Sequence, residues 1–324
     1  MTPSDSSAPA GFDRRAIPRE AVETRWRAPD GHSLRRIDWL LPQGTCRGSL
    51  LFMPGRGDAY EKYLETLDYW HRRGWRVTAA DWRGQAGSGR LGSDAVTGHA
   101  NDFAVWVDDL AAFWQHWRQS TPGPHVLVGH SMGGHLVLRA LAERRVDPAA
   151  AVLVAPMLDF IRHGVPVALT HAVAWLMARL GDPRRQAWKW GEKPGALPAD
   201  RINLLTHDTL RYADEVWWRE ARPEIAMGPG SWGWVDAAYV SMRRLNRPCV
   251  LEQVKLPVLL LSADRDRLVD SRAIERAALR LPRGELVRFG PDARHELLRE
   301  EDRLRDRALA AIDDFLDRTA RMRD

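Results

Sequence analysis

The feature that most constrains this chain is a strand, a tight turn and a helix in successive residues. Apolar residues at 126–128 run into Gly129-His130-Ser131-Met132-Gly133, and a helical pattern follows at 135–143. A serine at the tip of such a turn takes a sparsely populated backbone conformation, and side chains at both glycine positions would collide across it. The pattern therefore predicts that Ser131 is a nucleophile, and an ordinary glycine-rich turn is the alternative.

Two backbone amides are candidates for binding the negatively charged oxygen that such a nucleophile creates. The Met132 amide stands at the start of the predicted helix, where its N–H has no helical acceptor and points to the place where that oxygen forms. The second candidate is the backbone N–H of Arg56, in the loop that follows an apolar strand at 48–53. A plain Pro54-Gly55 turn is the alternative for this loop.

The order of apolar segments indicates the fold class. Aliphatic runs alternate with helical patterns along most of the 324 residues, which predicts an α/β fold with a mostly parallel sheet flanked by helices. Residues 22–28 and 34–41 look like two edge strands around a Pro-Asp-Gly turn. Apolar residues between 60 and 70 recur at helical spacing, and they predict one amphipathic helix that ends at Gly74.

The alternation stops between residues 157 and 248, in a stretch rich in Trp, Pro and Gly. Such an interruption is typical of a helical cap inserted over the catalytic face. We therefore expect a core of residues 21–156 and 249–324, a cap at 157–248, and a disordered tail at 1–20. The apolar segment 165–180 is too short to span a membrane but suits a lid that lines an acyl-chain pocket or touches a lipid surface. A helix buried against the sheet is the alternative.

A serine hydroxyl needs a base, and an imidazole base needs an acceptor on its other nitrogen. In folds of this class the acid follows a late strand and the histidine follows the last one. His295 is the single histidine after the last predicted strand. Asp264, Asp266 and Asp270 all follow the strand that begins at 257, and their spacing alone leaves the choice of acid open.

The charge pattern and the cysteines limit the partners and cofactors. The net charge of +5 comes from arginines spread among carboxylates, which is typical of solvated helix faces and not of a nucleic-acid groove. Cys46 and Cys249 lack the spacing of a metal site, and the loop 81–89 lacks the glycine pattern of a nucleotide site, so we expect neither metal nor cofactor. Free thiols and a start without an apolar signal segment predict a cytoplasmic protein that can also contact the inner membrane face. The oligomeric state stays open.

Several stretches resemble the serine-hydrolase family of bacterial lysophospholipases and monoacylglycerol lipases, grouped with serine aminopeptidase-like α/β hydrolases. They cover most of the chain from about residue 45 onward, and they are Met53-Pro54-Gly55-Arg56, Asp81-Trp82-Arg83-Gly84-Gln85, Gly98-His99 with Val107-Asp108-Asp109-Leu110-Ala111-Ala112-Phe113-Trp114, Gly129-His130-Ser131-Met132-Gly133-Gly134, Ala155-Pro156-Met157, Asn203-Leu204-Leu205-Thr206-His207 and Arg265-Asp266-Arg267-Leu268-Val269-Asp270. Many relatives have His-Gly where this chain has Pro54-Gly55, and the usual Gly-Gln-Gly of the neighbouring loop is Gly-Gln-Ala here.

The resemblance implies the α/β-hydrolase fold with an inserted helical cap. It selects Asp266 as the acid, because the family's aspartate precedes a basic residue, two apolar residues and a second aspartate, and it supports the amides of Arg56 and Met132 as oxyanion donors. The implied activity is hydrolysis of a small lipid ester, a lysophospholipid or monoacylglycerol, by Ser131, His295 and Asp266 without a cofactor. A peptidase or short-chain esterase on the same fold, and a ligand-binding homologue without catalysis, are the alternatives.

Overall fold

The computed structural model describes residues 12–40, 46–161, 164–188 and 200–321. The described residues form one sheet of eight strands, in the order β1-β2-β4-β3-β5-β6-β7-β8. The strands are β1 (Ala21–Arg27), β2 (Ser33–Trp39), β3 (Gly48–Met53), β4 (Trp75–Ala80), β5 (His125–His130), β6 (Ala150–Val154), β7 (Val258–Ala263) and β8 (Gly284–Phe289). The pairs from β4 to β8 are parallel, whereas β1 pairs with β2 and β2 with β4 in antiparallel register.

The position of β2 differs from the prediction of two edge strands. β1 is an edge strand, but β2 lies between β1 and β4 and is mostly buried. Polar residues made β2 look exposed, and the structure shows how they are accommodated. Arg35 pairs with Glu61 and Asp81, each at 2.7 Å, and Arg36 pairs with Asp38 at 2.7 Å.

Helices cover both faces of the sheet. They are α1 (Leu64–Arg72), α2 (Ala104–Gln119), α3 (Met132–Ala142), α4 (Val167–Arg179), α5 (Ile202–Leu205), α6 (Thr209–Ala221), α7 (Trp232–Leu245), α8 (Ser271–Arg280) and α9 (Asp302–Thr319). The predicted single helix after residue 60 is instead a short 3₁₀ turn, Tyr60–Tyr63, followed by α1.

Alternate residues of the strands feed two hydrophobic clusters, because successive side chains of a strand point to opposite faces. Leu51 and Met53 of β3 join residues of α2, α3 and α8 in one cluster. Leu50 and Phe52 join residues of α1 and α9 in the other. The central strands β3 to β7 are therefore buried on both faces, as expected for parallel strands, and the carboxyl edge of the sheet is where the loops that carry function meet.

The N-terminal segment differs in part from the predicted disordered tail. Residues 1–11 lie outside the described residues. From residue 12 the chain is attached to α6, since Arg14 and Arg15 both pair with Asp214 at 2.6 Å and the Trp218 indole donates to the Arg14 carbonyl at 2.8 Å. These partners are about two hundred residues away, so composition alone gave no sign of them.

The segment between β6 and β7 contains helices α4 to α7 in its described residues, and residues 162–163 and 189–199 of the predicted cap lie outside them. Helix α4 packs against α7. Its His171 and Ala174 are buried, whereas a set of large apolar side chains on and beside it is exposed, namely Leu169, Val173, Trp175, Leu176 and Leu180. The segment 165–180 is thus an amphipathic surface helix, and not a helix buried against the sheet.

Candidate active site

Ser131 lies at the turn between β5 and α3. Its backbone has φ +51° and ψ −117°, a conformation that costs an L-residue energy and persists only where the surroundings enforce it. A Cβ on Gly133 would lie 2.3 Å from the carbonyl oxygens of Met53 and Pro54. The Ser131 N–H donates to the carbonyl of Val154 at 2.9 Å. The strained turn is the geometry that the glycine spacing predicts.

The structure brings one of the three candidate carboxylates to the histidine. His295 Nδ1 lies 2.6 Å from Asp266 Oδ2, and both side chains are buried. Asp264 instead accepts from Arg288 Nε at 3.0 Å. Asp270 caps α8 by accepting a backbone N–H of its first turn at 3.0 Å. Asp266 is therefore the carboxylate placed to orient His295.

Asp266 is itself held in position. Its second oxygen, Oδ1, accepts the backbone N–H groups of Leu268 at 2.8 Å and Val269 at 3.1 Å. Because a carboxylate can only accept, the His295 proton sits on Nδ1 and leaves Nε2 free to act as a base. Burial alone would lower the pKa of His295, but the charge and hydrogen bond of Asp266 outweigh it and raise that pKa above 6.5.

Ser131 and His295 line the same cavity, whose volume is about 360 Å³. Ligand pockets for small molecules are usually about 300–1,000 Å³. The lining residues are Arg56, Asp58, His130, Ser131, Met157, Phe160, Trp188, Asp200, Arg201, Leu204, Leu205, Trp234, Leu268, Val269, His295 and Glu296. The cavity thus combines the candidate nucleophile and base with an apolar wall that can take a hydrocarbon chain.

The two candidate oxyanion amides lie on segments next to the serine. A Cβ on Gly55 would stand 3.1 Å from the Ser131 Cβ, so the loop of Arg56 runs directly beside the nucleophile. The Gly55 N–H donates to Asp58 Oδ2 at 3.1 Å, whereas the Arg56 N–H has no acceptor among the described residues. Met132 is the first residue of α3, where a backbone N–H has no partner within the helix.

A second buried group beside His295 was not found by sequence reasoning. His130 Nδ1 lies 2.9 Å from the Tyr63 hydroxyl and 3.2 Å from Asp58 Oδ2, and Tyr63 donates to the same Asp58 oxygen at 2.8 Å. The rings of His130 and His295 are 4.9 Å apart between centroids. Burial lowers the pKa of His130, which favours the neutral imidazole. Spacing along the chain could not reveal this group, since Asp58 and His130 are 72 residues apart.

Buried ion pairs join Glu296, the residue after His295, to the helical segment between β6 and β7. Lys62 Nζ lies 2.6 Å from Asp58 and 3.2 Å from Glu215, and it also pairs with Glu296. Arg299 pairs with Glu296 and with Glu215. Burial raises the pKa of Glu296, but Lys62 and Arg299 outweigh burial and lower it. The network fixes Glu296, and therefore the backbone next to His295.

Comparison with known protein sequences identifies a matching family and individual relatives. The pattern of the family described as serine aminopeptidase, S33, matches residues 44–302. Lysophospholipase L2 from Escherichia coli strain K12 is 34% identical over 281 residues, which cover 83% of this chain and 80% of that protein. Probable lysophospholipase L2 from Haemophilus influenzae is 26% identical over 280 residues, with 85% of both chains covered.

Solved structures resemble most of the chain at lower identity. A soluble variant of monoglyceride lipase from Saccharomyces cerevisiae has a TM-score of 0.75 and 18% identity, with 97% of this chain and 100% of that chain covered. Monoacylglycerol lipase from Paleococcus ferrophilus has a TM-score of 0.67 and 20% identity, with 88% and 98% covered. At this identity the likeness concerns the fold, and it confirms the predicted α/β-hydrolase fold.

Proposed function

This chain belongs to the serine aminopeptidase (S33) family, and on that premise we propose that it is a serine carboxylic-ester hydrolase that releases a fatty acid from a lysophospholipid or a monoacylglycerol. The observation that carries the proposal is one cavity lined both by Ser131 and the Asp266-oriented His295 and by an apolar wall. The names of the relatives, lysophospholipase L2 and monoglyceride lipase, support the same substrate class.

In the proposed mechanism, the Ser131 hydroxyl attacks the ester carbonyl while His295 Nε2 takes its proton. Asp266 steadies the imidazolium, and the amides of Arg56 and Met132 bind the oxyanion. Collapse of the tetrahedral intermediate breaks the bond to the glycerol oxygen, which leaves with the proton from His295. Water then attacks the acyl-enzyme with His295 again as base, and the fatty acid and free Ser131 are regenerated.

The helical segment supplies the substrate pocket in this proposal. We assign residues 21–156 and 249–324 to the core that carries the triad, and residues 157–248 to a cap. Phe160, Leu204 and Trp234 come from this segment and line the cavity together with Ser131. Because the triad fixes the reaction and the cap fixes the shape of the pocket, the cap is the part that selects an acyl chain.

We also propose that the cap contacts a lipid surface through α4. Its exposed apolar side chains include Leu169, Val173, Trp175 and Leu176, and the Arg179 guanidinium stacks over Trp175 at 4.4 Å. An apolar face with a basic residue beside it is typical of helices that lie in a membrane interface. No helix in the described residues is long and apolar enough to cross a membrane. Because Cys46 and Cys249 are free thiols, the proposal locates this contact at the cytoplasmic face.

The experiment that tests the function measures product release from lysophosphatidylcholine, a monoacylglycerol, a short p-nitrophenyl ester and an aminoacyl amide. Each substrate is compared between the wild type and Ser131→Ala. The proposal expects the two long-chain lipids to be the best substrates and the variant to be inactive. Turnover of the short ester or the amide alone would support the triad but contradict the lipid assignment. Absence of any turnover would favour a non-catalytic binding protein.

A further inference from the structure

The cavity wall contains an arginine side chain, Arg56, that pairs with no carboxylate of the described residues. Arg56 Nη2 donates to the carbonyl of Gly228 at 2.9 Å. Its Nε is buried with no hydrogen-bond partner, and within the described residues neither Nη1 nor any other atom of this guanidinium pairs with an acid. Most of its hydrogen-bonding capacity is therefore unused beside the candidate nucleophile.

The arginines that are buried among the described residues pair with carboxylates, whereas the partly buried Arg56 does not. Arg35 pairs with Glu61 and Asp81, Arg83 pairs with Asp109, and Arg299 pairs with two glutamates. A buried charge without a counter-ion is costly. Arg56 shows this cost in its pKa, which burial, followed by the charges of Arg201 and Arg219, lowers to about 9 although the charge of Asp58 opposes the shift. An anion in the cavity would relieve it.

The guanidinium is held in a fixed orientation by its neighbours. It lies over the rings of Trp234, at 4.9 Å from the centroid, and Trp188, at 5.4 Å. Behind it, a Cβ on Gly98 would come within 2.9 Å of Nη2, so the absence of a side chain there makes room for the guanidinium. A stacked and hydrogen-bonded arginine loses little further freedom on binding a ligand, since it is already ordered.

We propose that the Arg56 side chain binds the phosphate of a lysophospholipid, so that the site selects lysophospholipids over uncharged monoacylglycerols. This inference rests on the proposed function. The backbone N–H of Arg56 is the candidate donor to the ester oxyanion, and its guanidinium lies one side chain away. In a lysophospholipid the phosphate lies one glycerol away from the ester carbonyl. One residue therefore contacts both groups, and a guanidinium suits the tetrahedral oxygens of phosphate.

The other charges of the wall are compatible with an anion. Arg201 also lines the cavity and pairs with Glu215 at 2.8 Å. The lining carboxylates Asp58 and Glu296 are both paired with Lys62. Asp200 is a further lining carboxylate, and it carries no part of the proposal.

The test compares two substrates with the same oleoyl chain, lysophosphatidylethanolamine and monooleoylglycerol, at equal mole fraction in mixed micelles. The readout is the ratio of their kcat/KM values in the wild type, Arg56→Gln, Arg56→Lys and a control, Arg184→Gln. Arg184 carries the same charge but lies in the cap, outside the cavity lining, and pairs with Asp182, with both side chains about half exposed. We expect the ratio of kcat/KM for lysophosphatidylethanolamine to that for monooleoylglycerol to fall about tenfold or more in Arg56→Gln. It should fall less in Arg56→Lys, which keeps the positive charge but loses the two parallel N–H donors of the guanidinium. The control should keep the wild-type ratio.

A second readout identifies the bound group. Glycerol 3-phosphate and oleate are tested as competitive inhibitors of short-ester hydrolysis by the wild type and by Arg56→Gln. We expect weaker inhibition of the variant by glycerol 3-phosphate, with inhibition by oleate changed less. Loss of oleate inhibition alone would show that the guanidinium binds the fatty-acid product, and it would overturn the proposal.

The remaining outcomes distinguish failure of the phosphate site from failure of the proposed ester-hydrolase function. A ratio unchanged in Arg56→Gln, in protein whose serine still reacts with a fluorophosphonate probe, overturns the phosphate site and leaves the ester hydrolase intact. If Arg56→Gln does not fold, Arg56→Ala takes its place, and an unchanged ratio in that variant overturns the site equally. Failure of the wild type to hydrolyse either lipid contradicts the proposed function itself.

Discussion

At the scale of single residues, the identity of the acid depends on which carboxylate of the loop after β7 reaches His295. Asp266 reaches His295 Nδ1 at 2.6 Å, while Asp264 pairs with Arg288 on the protein surface. We predict that Asp266→Asn lowers kcat by about 10⁴, because an amide that replaces the carboxylate can hold the imidazole in the wrong tautomer. Asp264→Asn is the matched control and should retain kcat within about twofold. Steady-state assays on a short ester measure both, and the reverse pattern would show that Asp264 is the acid.

The raised pKa of His295 predicts the pH dependence of catalysis. The imidazole acts as a base only when neutral, so activity is lost as the pH falls through this pKa. Because Asp266 raises the pKa above 6.5, the acid limb of kcat/KM should have its midpoint above that value. NMR titration of the His295 ring should give a lower pKa in Asp266→Asn, since the stabilising charge is gone. An acid limb below 6.5 in the wild type would contradict the account.

Site residues differ in how far the sequence could identify them. Ser131 could be predicted from the sequence because the residues that form its turn all lie within a few positions of it. Asp266 and Asp264 could not be separated by spacing, since both follow the same strand end, and the family pattern was needed. The role inferred for the Arg56 side chain depends on Gly228, 172 residues away, and no local pattern carries that contact.

At the scale of elements, the turn between β5 and α3 depends on the close approach of the β3 end. We predict that Gly133→Ala prevents stable folding or destabilises the protein by several kcal/mol, because its Cβ would lie 2.3 Å from two backbone carbonyl oxygens. Gly290→Ala is the control, since its Cβ would meet first a side-chain oxygen of Asp292 at 3.2 Å. Chemical denaturation of both variants measures the difference, and equal stabilities would contradict the steric argument.

Secondary structure was predicted best where periodicity is strong and burial is simple. The buried parallel strands β3, β5 and β7 follow from their apolar runs. β2 looked like an edge strand because it carries Arg35, Arg36 and Asp38, and its interior position depends on ion pairs with Glu61 and Asp81 that the sequence does not display. Edge and interior positions are thus decided by partners from other elements.

At the scale of the whole molecule, Lys62 pairs with the neighbouring Asp58 and with two carboxylates from distant segments, Glu215 and Glu296. We predict that Lys62→Met lowers the free energy of unfolding by about 3–5 kcal/mol near neutral pH, because it leaves the buried Asp58 without its lysine partner and removes one cation from the pairs of Glu215 and Glu296. The loss should shrink towards about pH 4, where carboxylates without their cation become protonated. Urea denaturation at several pH values measures it. Lys255→Met, at an exposed lysine, should change the stability by less than about 0.5 kcal/mol.

A loss of stability that stays the same at every pH would contradict the electrostatic explanation and favour lost packing around the Lys62 side chain. The sign follows from the carboxylate pKa values. Although burial raises the pKa values of Asp58, Glu215 and Glu296, their cationic neighbours outweigh burial and lower all three. Groups with lowered pKa values stabilise the fold at higher pH and lose this effect as the pH falls through the lowered values.

The overall architecture was predictable because alternation of strands and helices extends along the chain, whereas the contacts between distant segments were not. The segment from residue 12 was expected to be disordered from its composition, yet it is attached through Asp214 on α6. The junction at Lys62 joins residues 234 positions apart. Such pairs depend on the folded chain and have no signature in any single stretch.

The proposed reaction is hydrolysis of a lipid ester through an acyl-enzyme on Ser131. The most direct measurement mixes the enzyme with a long-chain p-nitrophenyl ester, quenches the reaction within the first turnover, and maps the acyl group by peptide mass spectrometry. We expect a burst of p-nitrophenol and an acyl adduct on Ser131 that is absent from Ser131→Ala. An adduct on another residue, or near-normal turnover by Ser131→Ala, would contradict it.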